Sequence, residues 1–538
     1  MSEPAANARL PRRGGWPAHP VIYQIYPRSF ADSTGSGEGD LAGIAARLPH
    51  VARLGADAVW ISPFFLSPMV DGGYDIVDHC AVDPRFGTMA DWEALVARAR
   101  SLGLHVMIDL VANHTSIAHP WFSESAERRG GRDDWYVWAD PTPAGGPPNN
   151  WLSFFGPPAW TWDHRRRQYY NHTFLEEQPK LNLRHRGVQR AIGEIVAFWR
   201  DRGADGFRLD AVTSYLHDES LADNPPARPE VAARIAGARH NPYTWQDHMH
   251  DFLPGDGVPF METVREWAGP EAYLLGEVNS GNRSVELAVE TAGAAGLDSA
   301  YVVDLAERGV TGDVMADMIE RGACAEGLAW WLSTHDRSRH VSRAGDGSER
   351  DARLFAVLLC GMPGPLILYQ GEELGQRQSS LPREALHDPF DVMYWPAAPG
   401  RDGSRVPFHW EAGRGAGFTT GAPWLPMDEA DVPAPLSAQA GRPDSPFETY
   451  RAALAARRRL GIADACMQVL EAEELWFLGR LTDLPGGALR LAVNLSREAH
   501  RLPAGAGAVH MASDPALPGA TIGEVPPRTA LWLAESDG

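Results

Sequence analysis

Short runs of apolar, often β-branched residues alternate along most of the chain with longer segments whose apolar residues recur at helical spacing. This alternation is typical of parallel strand and helix units. Eight runs are predicted to be strands: VIYQIYP from Val21, AVWISP from Ala58, HVMIDLV from His105, GFRLDAV from Gly206, YLLGEV from Tyr273, SAYVVD from Ser299, LAWWLSTH from Leu328 and LILYQGEEL from Leu366. Eight such units close naturally on themselves, so the pattern predicts an α/β fold built on a (β/α)8 TIM barrel.

Two intervals depart from the barrel pattern. Residues 116–181 are rich in Trp, Pro, Gly and Asn and are too long for one loop, which predicts an inserted subdomain B after strand 3. Residues 460–538 turn to short strands, among them LWFLGRL, LRLAVNLS and TALWLAE, which predict a C-terminal all-β domain, a β-sandwich. The barrel itself is therefore expected to comprise residues 16–115 and 182–459.

The overall charge excludes some partners. The chain has 49 Lys and Arg against 70 Asp and Glu, a formal charge of −21, which repels phosphate backbones and anionic membranes. No apolar stretch near the N-terminus could form the core of a signal peptide, and the most apolar run, LFAVLLCGMPGPLILY from Leu354, is broken by Gly and Pro. These features predict a cytoplasmic protein that binds neither nucleic acid nor membrane.

The cysteines are Cys80, Cys324, Cys360 and Cys466, far apart and without a short paired spacing. This pattern indicates neither a zinc knuckle nor a disulfide framework. We therefore expect all of them to be reduced thiols, mostly buried.

Polar residues gather where the predicted barrel strands end. In a (β/α)8 barrel the active site is built at the carboxyl ends of the strands, from residues of several units. Any one such side chain alone would more often be a helix cap or a satisfied polar residue of the core. Their convergence on one rim predicts a site that comprises Asp109, His114, Arg208, Asp210, Glu277, His335 and Asp336.

Asp210 and Glu277 end two neighbouring strands. Because neighbouring strands lie roughly 4.8 Å apart, two inward carboxyl groups there would be near the ~5 Å separation that retaining glycosidases use. Arg208 shares a strand face with Asp210 and is expected to hold that carboxylate ionised as the nucleophile. Glu277, desolvated beside another carboxylate, is expected to be the protonated acid/base. Asp336 would be a further anion facing the developing oxocarbenium charge.

Several motifs, in order along the chain, resemble those of a known family. DLVANHTS, GFRLDAV, GEVN and STHD look like the four sequence signatures of the α-amylase family of glycoside hydrolases (family 13). YPRSF, DGGYD, QPKLN, YQGEELG and RDGSRVPFHW resemble the exo-acting α-glucosidase and oligo-1,6-glucosidase branch. The resemblance covers the chain from about Val21 onward and implies the same barrel, inserted subdomain and β-domain.

The resemblance also implies residue roles. Asp210 is similar to the nucleophile of the family, Glu277 to its acid/base and Asp336 to its third carboxylate. The residues that match positions around the bound glucose are Asp71, Tyr74, His114, Phe155, Phe174, Arg208 and His335. Arg401 or Arg405 resembles the arginine that pairs with Asp71 of DGGYD and closes the pocket. The sequence does not decide between the two arginines.

The chain departs from the family pattern at a few positions. Thr334 stands where the family usually has Asn before His-Asp, so the resemblance does not define the hydrogen bonding around Asp336. Lys180 stands in QPKLN where this branch usually reads QPDLN, a reversal of charge at the junction of inserted subdomain and barrel. Val278, which follows Glu277, resembles the 1,6-cleaving members.

The stretch DSTGSGEGDL places oxygen-bearing side chains at alternate positions, in a loop that in this family commonly surrounds a calcium or magnesium ion. The candidate ligands are Asp32, Thr34, Ser36, Glu38 and Asp40. Thr34 and Ser36 stand where the family has an amide and a carboxylate, so a structural Ca²⁺ or Mg²⁺ would be held weakly, and both an occupied and an empty loop remain open. No cofactor is expected for catalysis, because a two-carboxylate mechanism needs none.

These features together predict a retaining exo-α-glucosidase, a monomer or homodimer, that releases α-glucose from short α-glucosides of the maltose type or from sucrose. Transfer of glucose to another hydroxyl is an expected side activity, because an acceptor can intercept a glycosyl-enzyme. The alternative enzymes are a sucrose-specific hydrolase and a sugar isomerase or transglucosylase. A non-catalytic amylase-like partner protein would lack the carboxylates, and an endo-acting amylase would need an open cleft.

Overall fold

The computed structural model describes residues 13–228, 240–279, 283–293, 296–322, 327–397, 400–502 and 506–535. Eight parallel strands form one sheet in the order 7-6-5-4-3-2-1-8, counted along the chain. A parallel bridge between Trp330 and Leu366 joins the two edges of this sheet, which confirms the predicted (β/α)8 barrel. Barrel strands 1 to 8 are Val21–Ile25, Ala58–Ile61, His105–Leu110, Gly206–Leu209, Tyr273–Val278, Ser299–Val302, Leu328–Ala329 and Leu366–Tyr369.

Helices follow most of the barrel strands, and the first shows how the sequence sets their ends. Asp40 accepts the N–H of Gly43 and caps helix Leu41–Leu54, which Gly55 ends with a φ of 105° that favours glycine. In the described part of the chain, no helix is both long and apolar enough to cross a membrane. The longer helices are Leu41–Leu54, Met89–Ser101, Arg186–Arg200, Pro254–Ala268, Ser284–Thr291, Gly312–Gly322, Glu349–Cys360 and Pro446–Leu460, and the shorter ones are Pro120–Ala126, Asp304–Glu307, His340–Arg343, Pro389–Tyr394 and Leu436–Gln439.

The barrel strands bury both of their faces. One small buried cluster includes Ile22, Met107, Leu275 and Ile367, whereas neighbouring strand residues such as Val106 join the larger core. Such two-sided burial is typical of parallel strands, whose side chains alternate between faces. Because side chains fill a barrel of this size, polar groups at the carboxyl ends of the strands lie above a packed interior.

Residues 116–181 form structure of their own, as expected for an inserted subdomain. Helix Pro120–Ala126 is followed by a three-stranded antiparallel sheet of Trp138–Ala139, Gln168–Asn171 and Trp160–Asp163. The exact limits of the insertion stay a prediction. A separate antiparallel pair, Phe65–Leu66 with Asp78–Val82, follows barrel strand 2.

The C-terminal region is an all-β domain, as predicted. Trp532, on its last strand, is buried and donates its ring N–H to the carbonyl of Val357 at 3.0 Å, which fixes the sheet against helix Glu349–Cys360. Its five antiparallel strands lie in the order Cys466–Glu473, Trp476–Thr482, Leu489–Asn494, Thr529–Glu535 and Ala506–Ala512, beside a short pair of His500–Arg501 with Glu524–Val525.

One prediction about the cysteines is wrong. Cys80 and Cys360 are free, and burial raises the pKa of their thiols, to about 11 and about 12. Cys466, expected to be a reduced thiol, is disulfide-bonded, while Cys324 lies outside the described residues. The spacing of cysteines could not reveal this bond, because folding brings residues together that are far apart in the sequence.

Candidate active site

A single buried guanidinium joins the charged groups at the carboxyl ends of barrel strands 3 to 5. Arg208 of strand 4 donates one Nη to Asp109 at 2.5 Å and to Asp210 at 2.6 Å. Its other Nη donates to Glu277 at 2.5 Å and to the hydroxyl of Tyr301 at 2.7 Å. A guanidinium suits this place because it stays charged and offers five donors in a fixed plane. Four of the side chains that were predicted to converge, Asp109, Arg208, Asp210 and Glu277, therefore meet here.

Asp210 and Glu277 occupy adjoining positions on neighbouring strands. Gly276 pairs with Leu209, and the two carboxylate residues follow directly in the same parallel register. Neighbouring strands lie roughly 4.8 Å apart, which is close to the ~5 Å between the carboxyl groups of retaining glycosidases and well below the gap of inverting ones. The backbone N–H of Ala211 also donates to Glu277, at 3.2 Å. Two carboxylates in adjoining positions of this kind are close enough to act on the same glycosidic bond.

The pKa of Asp210 differs from the expectation that Arg208 would hold this carboxylate ionised. Burial raises the pKa of Asp210 well above its ordinary value; Arg208 opposes this, and the negative charges of Glu277 and Asp109 add to it. One guanidinium cannot neutralise three carboxylates that are removed from water. The free site therefore favours the protonated form of Asp210 more than water does.

Asp336 lies among positive and polar groups. Its carboxylate is 3.1 Å from the ring of His335, 3.2 Å from Arg401 and 3.1 Å from Arg405. Burial alone would raise the pKa of Asp336, but these three neighbours outweigh it and hold the pKa below its ordinary value. The hydroxyl of Thr334 accepts the N–H of Asp336 at 3.3 Å, in place of an amide side chain. Asp336 is therefore ionised at neutral pH.

The two arginines that the sequence left open take different roles. Arg401 donates to Asp71 at 2.6 Å, whereas Arg405 donates to the carbonyl of His335 at 2.9 Å and to Asp336. Arg401 is thus the arginine that pairs with Asp71 of DGGYD. The second oxygen of Asp71 accepts from Gln178 at 3.0 Å.

Two histidines, His335 and His114, contact Tyr74 in the site. The hydroxyl of Tyr74 and Nε2 of His335 lie 2.7 Å apart, and the two rings stack with centroids 5.4 Å apart. His114 is 3.2 Å from the carbonyl of Tyr74 and 3.1 Å from Gln178. Burial lowers the pKa of His114 to about 4 and that of His335 to about 3. Both imidazoles are therefore neutral hydrogen-bonding groups near pH 7.

The site opens into a cavity of about 620 Å³. Phe174 lies 5.4 Å from the ring of His114, and the ring of Phe155 lies 5.5 Å from the guanidinium of Arg401. The predicted site residues on the cavity wall are Asp71, Tyr74, His114, Phe155, Phe174, Asp210, Glu277, Asp336 and Arg401. The remaining ones, Asp109, Arg208, His335 and Arg405, are buried and do not line the cavity. Asp109 accepts from Arg208, and Arg208, His335 and Arg405 contact the carboxylates of the wall directly.

Sequence reasoning did not single out several residues of this network. Gln178 lies in the quoted QPKLN motif, and Asp388 accepts from Nε of Arg401 at 2.7 Å. Trp60 donates its ring N–H to Asp109 at 2.7 Å, and Tyr301 accepts from Arg208. The motif could have pointed to Gln178. The other three carry no local signal, because only the fold brings them to the site.

Lys180, the departure in QPKLN, is buried at the base of the inserted subdomain. Its backbone bridges to His114, and its side chain is 1% exposed. Burial lowers the pKa of Lys180 to about 7, against the opposing effect of Asp251. The side chain of Lys180 is therefore partly uncharged near neutral pH, which weakens the charge reversal seen in the sequence.

The loop of the candidate metal ligands is closed by its own hydrogen bonds. Asp32 accepts the N–H groups of Thr34 at 2.9 Å, Gly35 at 2.8 Å and Gly37 at 2.7 Å, and the hydroxyl of Thr419 at 2.5 Å. Burial raises the pKa of Asp32, but these donors outweigh it and hold the pKa below its ordinary value. The oxygens that would bind an ion are thus turned toward N–H and O–H donors.

The other candidate ligands are also engaged. Asp40 accepts the N–H of Gly43 at 2.6 Å and that of Ser33 at 2.8 Å, while Glu38 pairs with Arg28 at 2.5 Å. Among the described residues, no group of three or more His, Cys, Asp or Glu is arranged to hold a metal ion. A calcium site needs six to eight free oxygens, so this donor set does not fit one.

The barrel and its paired carboxylates together define the class of a glycosidic-bond-processing enzyme. The family model described as "Alpha amylase, catalytic domain" matches residues 24–464. The chain therefore belongs to the α-amylase family of glycoside hydrolases, as the sequence motifs indicated.

Individual relatives agree with this family. A "Probable alpha-glucosidase" of Rhizobium meliloti (strain 1021) is 46% identical over 469 residues, which cover 85% of this chain and 85% of the relative. An "Oligo-1,6-glucosidase" of Parageobacillus thermoglucosidasius is 34% identical, covering 82% and 84%. The crystal structure of an "alpha-glucosyl transfer enzyme, XgtA" superposes with a TM-score of 0.89 at 41% identity, covering 96% of this chain and 99% of that one.

Proposed function

We propose that the protein is a retaining exo-α-glucosidase that releases α-glucose from the non-reducing end of short α-glucosides. The observation that carries the proposal is the adjoining position of Asp210 and Glu277 around the guanidinium of Arg208. The names of the α-glucosidase and oligo-1,6-glucosidase relatives support the same reaction class. The steps below use carboxylates alone, so they require no metal or cofactor.

In the first step a carboxylate oxygen of Asp210 attacks the anomeric carbon while Glu277 gives its proton to the glycosidic oxygen. The aglycone leaves as an alcohol, and a covalent glucosyl-enzyme forms. Asp336, held ionised by His335 and two arginines, stabilises the positive charge that develops on the sugar.

In the second step Glu277, now a carboxylate, takes a proton from water. The resulting hydroxide equivalent attacks the anomeric carbon from the face that the aglycone left and releases Asp210 as a free carboxylate. Two inversions restore the α-configuration. A hydroxyl of another sugar or alcohol can take the place of water, which gives transglucosylation as a side activity.

The exo mode rests on the ion pair between Asp71 and Arg401. Both side chains are largely buried, at 7% and 15% exposure, and they lie on the cavity wall together with Tyr74. A substrate chain that continued past the non-reducing glucose would have to displace a desolvated ion pair, which is costly. The pocket therefore favours one terminal glucose.

The solved structure of an α-glucosyl transfer enzyme supports a second candidate, a transglucosylase. The two activities share both catalytic steps and differ only in the acceptor of the second, which is water for the hydrolase and a hydroxyl group of another molecule for the transferase. Incubation with maltose, isomaltose, trehalose, sucrose and longer dextrins, with products followed over time, tests both. Glucose as the main early product supports the hydrolase, new glucosides support the transferase, and random shortening of dextrins would overturn the exo assignment.

A further inference from the structure

The cavity extends beyond the residues that hold a terminal glucose. Its wall also contains Tyr243 from the segment after barrel strand 4, Glu307 from the helix after strand 6, and Arg337 from the segment after strand 7. The carboxylate of Asp71 accepts from Gln178 and Arg401. In the described part of the chain it has no hydrogen bond to any of these three residues. They line the same cavity as Asp210, Glu277 and Asp336 and lie apart from the Asp71–Arg401 pair.

Glu307 and Arg337 form an ion pair on this wall. The carboxylate accepts from Nη2 of Arg337 at 2.9 Å, with side-chain exposures of 20% and 25%. Burial raises the pKa of Glu307, and Arg337 only partly offsets this. Within the described residues, Arg337 is the only hydrogen-bond donor to this carboxylate. A charged group that keeps accepting capacity toward a cavity is placed to bind hydroxyl groups of a ligand.

Tyr243 adds an aromatic side chain to the lining of the same cavity. Burial raises the pKa of Tyr243, and the charges of Asp251 and Glu307 raise it further. The Tyr243 ring stacks on His248 with centroids 3.7 Å apart, which fixes its orientation. An aromatic face near charged hydrogen-bonding groups suits a sugar ring, which has apolar faces and a rim of hydroxyls.

The ion pair connects Glu307 to the segment that carries Asp336. Arg337 directly follows the catalytic Asp336, and its backbone N–H returns to the carbonyl of Thr334. A shift of Arg337 would therefore move the segment that carries Asp336. The pair therefore joins helix Asp304–Glu307 to the segment that carries Asp336.

We propose that the Glu307–Arg337 pair, with Tyr243, forms an acceptor subsite that selects polyhydroxylated aglycones, such as a second sugar unit, over apolar ones. The proposal rests on the glucosidase function argued above. A site built to hydrogen-bond hydroxyl groups discriminates strongly against a ligand that lacks them, because its polar groups are left unpaired. Glu307 and Arg337 are specificity-determining residues here, and the bond-breaking chemistry stays with the three carboxylates.

The test compares Glu307→Gln with the parent on maltose and on 4-nitrophenyl α-glucoside. The variant should lose about 10- to 100-fold in kcat/KM on maltose, the range for a hydrogen bond to a charged group, and keep its rate on the aryl glucoside within about threefold. Retained aryl activity also shows that the variant is folded. Glu286→Gln is the matched control, because Glu286 pairs with Arg321 at 3.3 Å and does not line the cavity.

A second measurement separates specificity from structure. The parent and Glu307→Gln are given the aryl glucoside together with glucose or with methanol as acceptor, and the ratio of transfer to hydrolysis is measured. Transfer to glucose should fall in the variant while transfer to methanol stays unchanged. Equal losses on both substrates and both acceptors would overturn the subsite, whereas a parent inactive on every glucoside would overturn the function on which it rests.

Discussion

Replacing Arg401 by Met removes the cation that closes the cavity. Arg401 lies 2.6 Å from Asp71 and 3.2 Å from Asp336, and its Nε donates to Asp388 at 2.7 Å. Two of these carboxylates still have a cation in the variant, because Arg405 lies 3.1 Å from Asp336 and 3.7 Å from Asp388. Asp71 keeps no cation in the described part of the chain. The loss of Arg401 therefore falls mainly on Asp71.

The magnitude follows from burial. A buried charge left without its partner is costly, so the Asp71 carboxylate should shift from the position in which it would hold the terminal glucose. A misplacement of about 1 Å can cost about 10²-fold, so kcat/KM on maltose should fall by about two orders of magnitude. Arg401→Lys, which keeps the charge but loses the planar fork, should fall between parent and Met variant.

The assay measures initial rates on maltose and on maltotriose. The Met variant should lose less on maltotriose, because an opened pocket admits a longer substrate. Arg165→Met is the control, because Arg165 pairs with Asp163 at 39% exposure, where such a pair contributes at most about 1 kcal/mol. A Met variant that keeps maltose activity within about threefold of the parent would refute the reasoning.

Further predictions concern the acid/base, the loop and the buried lysine. Glu277→Gln should accumulate a glucosyl-enzyme with an activated aryl glucoside, detected as an added mass of one glucosyl unit, and an unmodified mass with full turnover would contradict its role. A chelator should leave activity and melting temperature almost unchanged, while Thr34→Asn with Ser36→Asp should make melting calcium-dependent; a steep loss in the parent would contradict the closed loop. Lys180, with a folded pKa of about 7 against 10.5, binds fewer protons folded than unfolded between these values, so the free energy of unfolding should rise with pH there. This rise should disappear in Lys180→Met, and an identical slope would contradict the lowered pKa.

The barrel could be predicted from the sequence because its signal is repeated. Apolar runs alternate with helical patterns along most of the chain, so eight weak patterns reinforce one another. The seventh strand was predicted too long, since only Leu328–Ala329 pairs as a strand and the following residues turn toward the site. The carboxylates Asp210 and Glu277 were found for the same reason, because a strand end is a position that a pattern can mark.

Contacts between distant segments could not be predicted in the same way. Arg401 and Arg405 lie in one short motif, and only their positions in the fold decide that Arg401 faces Asp71. The pair of Glu307 and Arg337 spans two barrel units and has no local pattern. The pKa of Asp210 also needed the full set of neighbours, because burial and two further carboxylates outweigh the one arginine beside it.

The central claim is that Asp210 and Glu277 form the close carboxyl pair of a retaining enzyme. Proton NMR of a fresh reaction with maltose or an aryl α-glucoside, recorded before the anomers equilibrate, reports the configuration of the first glucose released. The account predicts α-glucose, because two successive inversions at the anomeric carbon restore the original configuration. β-Glucose as the first product would contradict it, since a single displacement by water needs carboxyl groups about 6.5–9.5 Å apart.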